Sequence, residues 1–237
     1  MADYARYRIR IDEDWSLEDL YLFPRAYEQV YFFFASFDVD LNEQDREKIE
    51  RAYRTFPWQG GYSAVSFFNQ LKYATPPRLR PTIIAIQKSS PGYFDLGLWL
   101  AAATSLAVIV NKIASAIDAA HTTYNNIYKG MQERKLLRIQ VESDVLKFES
   151  EHMNFINTSS RQMAQLLGFS TPVEINRLTG NPYLTLKLLL SVYRRVRTLS
   201  EYQNSGKAHL TEDAIPIQPP PSRRRRKQPP PKARSKG

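Results

Sequence analysis

The stretch Leu96–Ile117, LGLWLAAATSLAVIVNKIASAI, decides how the rest of the chain is read. It holds 22 residues with one charge, Lys112, and opens on an uncharged run of fifteen from Leu96 to Val110. About 20 residues of helix cross a bilayer core, so its length is just sufficient. A helix that is apolar all round is either enclosed by other helices or in contact with lipid. The many Ala, Ser and Thr residues suit close packing between helices. Lys112 opposes insertion, since a lysine near the centre of a span costs roughly 2.5–3.5 kcal/mol. Asp95 and Asp118 bracket the segment. The reading is a helix over 96–117, either buried as core or engaged in self-assembly or membrane contact. Its apolar positions for that purpose are Leu96, Leu98, Trp99, Leu100, Leu106, Ile109, Val110, Ile113 and Ile117.

Downstream, no proline interrupts the chain before residue 157, and the pattern turns charged. Leu137, Val141, Val145, Phe148 and His152 follow 4-4-3-4 steps, a short coiled-coil seam. Residues 93–157 are therefore read as one long helix or a helical hairpin. Further helices follow over 159–205. One runs from Ser160 to Leu167 and ends at Gly168. A short one is opened by Thr171-Pro172-Val173-Glu174 and closed by Gly180. The last begins at Asn181-Pro182 and runs to about Tyr202. On that helix Leu186, Leu188, Leu189, Val192, Tyr193, Val196 and Leu199 share one side. Lys187, Arg194, Arg195 and Arg197 take the other, an amphipathic pattern that suits packing into the fold or binding along a polyanion.

The segment from Gly168 to Gly180, GFSTPVEINRLTG, resembles the turn and second helix of repressor-type helix-turn-helix domains. Ala164, Gly168 and the Leu178-Thr179-Gly180 ending carry the resemblance, while Glu174 stands where that pattern takes an apolar residue. The resemblance implies DNA reading by this helix.

Upstream, Tyr7, Ile9 and Ile11 alternate with Arg6, Arg8 and Arg10, the period of a strand with one buried face. A helix begins after Ser16, with Asp19 as its capping-box partner. Pro24 is expected to break or kink it, leaving Pro24 to Phe37 as a second segment. Helices are expected from Asn42 to about Tyr53, charged and solvent-facing, and from Tyr62 to Tyr73. Thr82–Gln87 (TIIAIQ) is a second strand, expected to pair directly with the first. Residues 1–90 thus form an N-terminal α+β portion. The fold class is mostly α: that portion, the central helix or hairpin, a C-terminal helical bundle, and a disordered basic tail over 206–237.

The net charge of +9 is concentrated in the tail. The last twenty residues carry eight Lys and Arg and no acid, which leaves 25 basic and 24 acidic residues over 1–217. Arg223, Arg224, Arg225, Arg226 and Lys227 form an unbroken block between two Pro-Pro-Pro runs, followed by Lys232, Arg234 and Lys236. Such a segment is extended and cannot form a core. It attracts nucleic acid through counterion release, or an anionic leaflet.

The 43% hydrophobic and 24% charged composition excludes a fully disordered chain. The absence of cysteine excludes disulfides, thiolate nucleophiles and Cys-based metal sites. His121, His152 and His209 are too scattered for a metal motif, and no phosphate-binding glycine loop or GxSxG string occurs. Asp12, Glu13, Asp14, Glu18 and Asp19 could hold a divalent cation through their hard oxygen ligands, but the favoured reading is acids gathered where a strand gives way to a helix N-terminus. No catalytic, cofactor or metal site is expected, and no small-molecule substrate is identified. The N-terminus shows no apolar signal run, so the chain is expected in the cytoplasm, with membrane association through its helix and tail. The functional expectation is a non-enzymatic, homo-oligomeric interaction protein. It would use the 96–117 helix for self-assembly or membrane engagement and the tail for an anionic membrane surface. The alternative is a nucleic-acid-binding protein using the tail and the basic face of the 182–202 helix.

Overall fold

The strictly alternating segment near the N-terminus organises the sheet. In the computed structural model, which describes residues 4–37, 41–54, 63–89, 91–138, 150–211 and 215–216, strand β1 is Tyr4–Ile11. Tyr7, Ile9 and Ile11 are buried while Arg6, Arg8 and Arg10 lie on the opposite face, as the period requires. Helices α1 (Leu17–Ala35), α2 (Glu43–Arg54) and α3 (Ser63–Ala74) follow, then β2 (Thr82–Gln87) and β3 (Gly92–Trp99). Next come α4 (Leu100–Ser115), α5 (Ile117–Glu133), α6 (Ser150–Leu166), α7 (Val173–Thr179) and α8 (Pro182–Asn204). The chain closes on β4 (Ala208–Leu210) and β5 (Ile215–Pro216).

Three expectations are corrected. The first concerns the apolar stretch. Gly92–Trp99 is a strand, so Leu96, Leu98 and Trp99 belong to the sheet, and the helix begins only at Leu100. Phe94, Leu96 and Leu98 alternate with Asp95 and Gly97, a period-two pattern hidden inside what reads as a continuous apolar run. The helix then ends at Ser115, and Ile117 opens a second helix set at 93° to the first.

The second correction is the sheet itself. β1 and β2 are not neighbours, because β3 pairs antiparallel with both in the order β2-β3-β1-β4. β4 and β5 both pair with β1, so residues expected to lie in the tail complete the sheet. Third, Pro24 does not break α1, which runs through it as one helix of 19 residues. The lost bond is to the carbonyl of Leu20, and both residues are exposed, so that carbonyl is open to solvent rather than orphaned in the core. The buried face, carrying Phe23, Tyr27, Val30, Tyr31 and Phe33, holds the helix down.

The capping box at Ser16 is present, with the Asp19 amide donating to the Ser16 hydroxyl at 3.1 Å and the Ser16 amide to the Asp19 carboxylate at 2.8 Å. Asn181 caps α8 at the Tyr183 amide, and Gly180 closes α7 in the left-handed region at φ 67°. α2 is less open than its charges suggest, since Asp45, Ile49, Ala52 and Tyr53 are buried. Of the coiled-coil seam, Val141, Val145 and Phe148 lie outside the described residues.

α8 runs through the centre of the helical layer, against α1, α4 and α6. One continuous hydrophobic core draws on residues from Tyr7 and Phe33 through Leu106 and Met163 to Leu199 and Leu210. Buried tyrosine hydroxyls tie distant segments together, as Tyr31 does by donating to the Leu79 carbonyl at 2.6 Å and accepting from the Trp99 amide at 3.0 Å.

Candidate interaction surface

Exposed large apolar side chains cluster on two adjoining elements. Leu17, Leu20, Tyr21 and Leu22 lie on the first half of α1, and Ile83, Ile84 and Ile86 on β2, while Tyr73, Val108, Tyr128 and Val173 are scattered. Single exposed apolar residues are ordinary; clusters mark contact surfaces. β2 is an edge strand, and among the described residues no strand pairs with its outer side. Ile83, Ile84 and Ile86 are 66%, 49% and 56% exposed, so about half or more of each residue is uncovered. The ladder to β3 carries a bulge between Ile83 and Ala85.

A groove of about 670 Å³ separates this strand from the start of α1. Ile11, Trp15, Leu20, Ile86 and Phe94 line it, together with the exposed Asp12, Glu13, Asp14 and Lys88. Trp15 is fixed there by its indole N–H, 3.1 Å from the carbonyls of Asp12 and Lys207. Of the acid cluster, Asp19 is structural. Besides its bonds to Ser16 it accepts from Lys207 Nζ at 2.9 Å and from the Tyr202 hydroxyl at 2.8 Å. The Ser16 amide, then Lys207, hold its carboxyl well below the usual range. Among the described residues no group of three or more His, Asp or Glu side chains could hold a metal ion.

On the outer face of the sheet Asp95 is fully buried beneath arginines. It accepts from Arg6 Nε at 2.8 Å, from Arg8 Nε and Nη2 at 2.7 and 2.8 Å, and from Arg6 Nη2. Burial pushes its pKa up, but the bonds from Arg8 and Arg6 outweigh this and hold it below the ordinary carboxylate value.

The nine apolar positions of the central stretch face inward for the most part. Leu98, Leu106, Ile109, Val110 and Ile113 are buried in the core; Leu96, Trp99, Leu100 and Ile117 are half-buried. Ser200 of α8 donates to the Val110 carbonyl at 3.1 Å, locking α4 to the central helix. Among the described residues no single helix is long and apolar enough to cross a membrane; α4 and α5 carry that hydropathy only as a bent pair.

The four cations of the last helix do not form one open face. Arg194 is exposed. Lys187 lies 4.4 Å over the Tyr183 ring and is desolvated, which lowers its pKa to about 8. Arg197 pairs with Glu201 at 2.8 Å and approaches His121 Nδ1 at 3.0 Å. Arg195 turns inward over the Phe68 ring. The helix singled out by the helix-turn-helix resemblance is seven residues long, with Ile175 and Leu178 buried and Glu174 exposed. The basic block Arg223–Lys227, with Lys232, Arg234 and Lys236, lies outside the described residues.

No family model, curated protein or solved structure matches the chain. The fold is that of a largely helical protein built on a small antiparallel sheet, with one bent helix pair of membrane-like hydropathy.

Proposed function

We propose that this is a non-enzymatic assembly protein whose copies join edge to edge through β2, with the basic tail holding the assembly against anionic surfaces. The observation that carries the reading is the apolar, outward-facing edge Thr82–Gln87. Such edges are templates for strand addition, and proteins that avoid it place charges within them. No charge lies within TIIAIQ.

The sequence of the strand favours a second copy as the partner. A two-fold axis normal to the sheet makes one residue face its own copy, because the two kinds of antiparallel pair alternate along the ladder. With Ala85, the smallest side chain, at the axis, Ile86 of each copy falls opposite the bulge residue Ile84 of the other. Lys88 then falls opposite Thr82, and no like charges meet. Cross-strand apolar pairs contribute roughly 0.2–1 kcal/mol each. So short a strand pair falls near or below the ~1,200 Å² low end of specific interfaces, so association on the order of micromolar is expected.

The apolar helix of the sequence reading has most of its large apolar side chains in the core, so assembly is assigned to the edge strand instead. The nucleic-acid alternative has less support, because of the four α8 cations only Arg194 and Arg195 share a surface, while Lys187 stacks on Tyr183 and Arg197 pairs with Glu201. Sedimentation velocity of the full chain at rising concentration tests the reading. Wild type should pass from monomer to dimer, while Ala85→Lys, which sets two cations at the axis, stays monomeric and still melts cooperatively. Phosphatidylserine vesicles should retain wild type at low salt but release the full chain with Arg223–Lys227 changed to Gln. A wild type that is monomeric at millimolar concentration, or an Ala85→Lys dimer, would sink the edge-strand proposal.

A further inference from the structure

A second surface, independent of the β2 edge, gathers three arginines from two helices. Arg25 of α1 and Arg194 and Arg195 of α8 line a cleft of about 290 Å³ with Gln29, Ala64 and Thr198. Among the described residues no carboxylate lines it. The nearby acids of the same helices are committed elsewhere, Glu28 to Lys72 at 2.7 Å and Glu201 to Arg197 at 2.8 Å. Among the described residues Arg25 bonds to the Tyr21 hydroxyl, a neutral partner, and lies over that ring.

Arg195 is the most confined of the three. Its Nε donates to Gln29 Oε1, and its Nη1 to the Ser191 carbonyl at 2.8 Å and the Ser191 hydroxyl at 3.0 Å. Its guanidinium carbon sits 4.2 Å from the Phe68 ring centre. All these partners are neutral, and its Nη2 has no acceptor among the described residues. A guanidinium held rigidly against a ring, with one amino group spare and two like charges beside it, is an uncompensated charge. Burial first, then Arg194 and Arg25, lower its pKa to about 9, which agrees with a site lacking its counter-ion.

We propose that this cleft binds a phosphate group, with Arg195 as its fixed floor and Arg25 and Arg194 closing from either side. Phosphate is the anion whose several oxygens match converging guanidinium forks; Thr198 lines the mouth with its hydroxyl donating to the Arg194 carbonyl at 3.2 Å. The phosphate is either a free phosphate ester or the headgroup of a lipid; the cleft chemistry is the same for both.

The test uses the full chain, wild type and Arg25→Gln/Arg194→Gln, so that the basic tail is present in both. Both changes lie at the cleft mouth rather than in the core, and removing like charges from beside Arg195 should leave the melting temperature unchanged or higher. Titration calorimetry with inorganic pyrophosphate should show a binding event in wild type that is at least tenfold weaker in the double variant. Co-sedimentation with phosphatidylcholine vesicles containing phosphatidic acid distinguishes the source. A comparable loss on vesicles assigns a lipid phosphate, and a loss confined to pyrophosphate assigns a soluble one. Equal binding of both probes by the two proteins overturns the proposal, since the tail alone would then account for all anion affinity.

Discussion

Changing Asp95 to Asn removes one oxygen acceptor and one charge from beneath Arg6 and Arg8 while preserving shape. The wild-type carboxylate is fully buried and takes four N–H donors on its two oxygens. In the variant one oxygen remains, and an NH₂ group faces guanidinium donors. Breaking a buried charged pair by removing one partner costs about 3–5 kcal/mol. Here the arginine side chains keep 34% and 42% exposure and can rehydrate, so the loss is discounted to about 2–3 kcal/mol. At about 2–4 °C per kcal/mol for a chain of this size, the midpoint should fall by roughly 5–10 °C. Thermal melts followed by circular dichroism at pH 7 read this directly. The pH dependence has a definite sign. The folded carboxyl ionises below its unfolded value of about 3.9, so its contribution is complete above that pH and is lost as pH falls through the lower folded value. The gap between wild type and variant should therefore close under acid conditions. Melting within 1 °C of wild type at pH 7, or a gap that persists undiminished below the folded value, would refute the account.

Two further substitutions test the packing. Gly168 and Gly180 both sit at positive φ, 85° and 67°, but a Cβ on Gly168 would lie 2.3 Å from Ile109 Cδ1 whereas one on Gly180 meets nothing within 4 Å. Gly180→Ala should cost only the left-handed backbone penalty, roughly 1–2 kcal/mol, and Gly168→Ala about 1 kcal/mol more as Ile109 is displaced; equal losses in urea unfolding would contradict the packing around α4. Leu106→Ala, in the fully buried face of α4, should lose about 2–5 kcal/mol. Val108→Ala, on the same helix but 40% exposed, should lose less than about 1 kcal/mol; the reverse order would mean that the outer face of α4 is the one that packs.

Much of the architecture could be read from short-range chemistry. The capping box Ser16–Asp19, the Asn181-Pro182 start of α8 and the Gly180 stop of α7 each depend on bonds within one turn of helix, so the local residues suffice. The alternation of β1 was equally legible. The strand inside Leu96–Trp99 was not, although its period-two pattern is there. Leu, Trp and Ala in succession satisfy a helix or a strand alike, and nothing within the segment distinguishes them. The candidate surfaces divide in the same way. TIIAIQ could be identified as a strand, but that it forms an edge depends on β3 lying between it and β1. Arg194 and Arg195 stood out on the wheel of the last helix, whereas Arg25, far away in the chain, gave no signal that it belonged with them.

By itself, then, the sequence determined the helical class, the N-terminal strand with its arginine face, most helix ends and the concentration of net charge in the last twenty residues. These follow from local hydrogen bonding, side-chain periodicity and charge count. Only the tertiary structure decided that the apolar stretch divides into a strand and a helix. β1 needs a partner on each edge, and β3 and β4 supply them, while α4 spends its apolar surface against α8. It also decided which charges are covered and which are left facing a cleft. Burial is settled by what packs against a side chain, and those neighbours come from far along the chain.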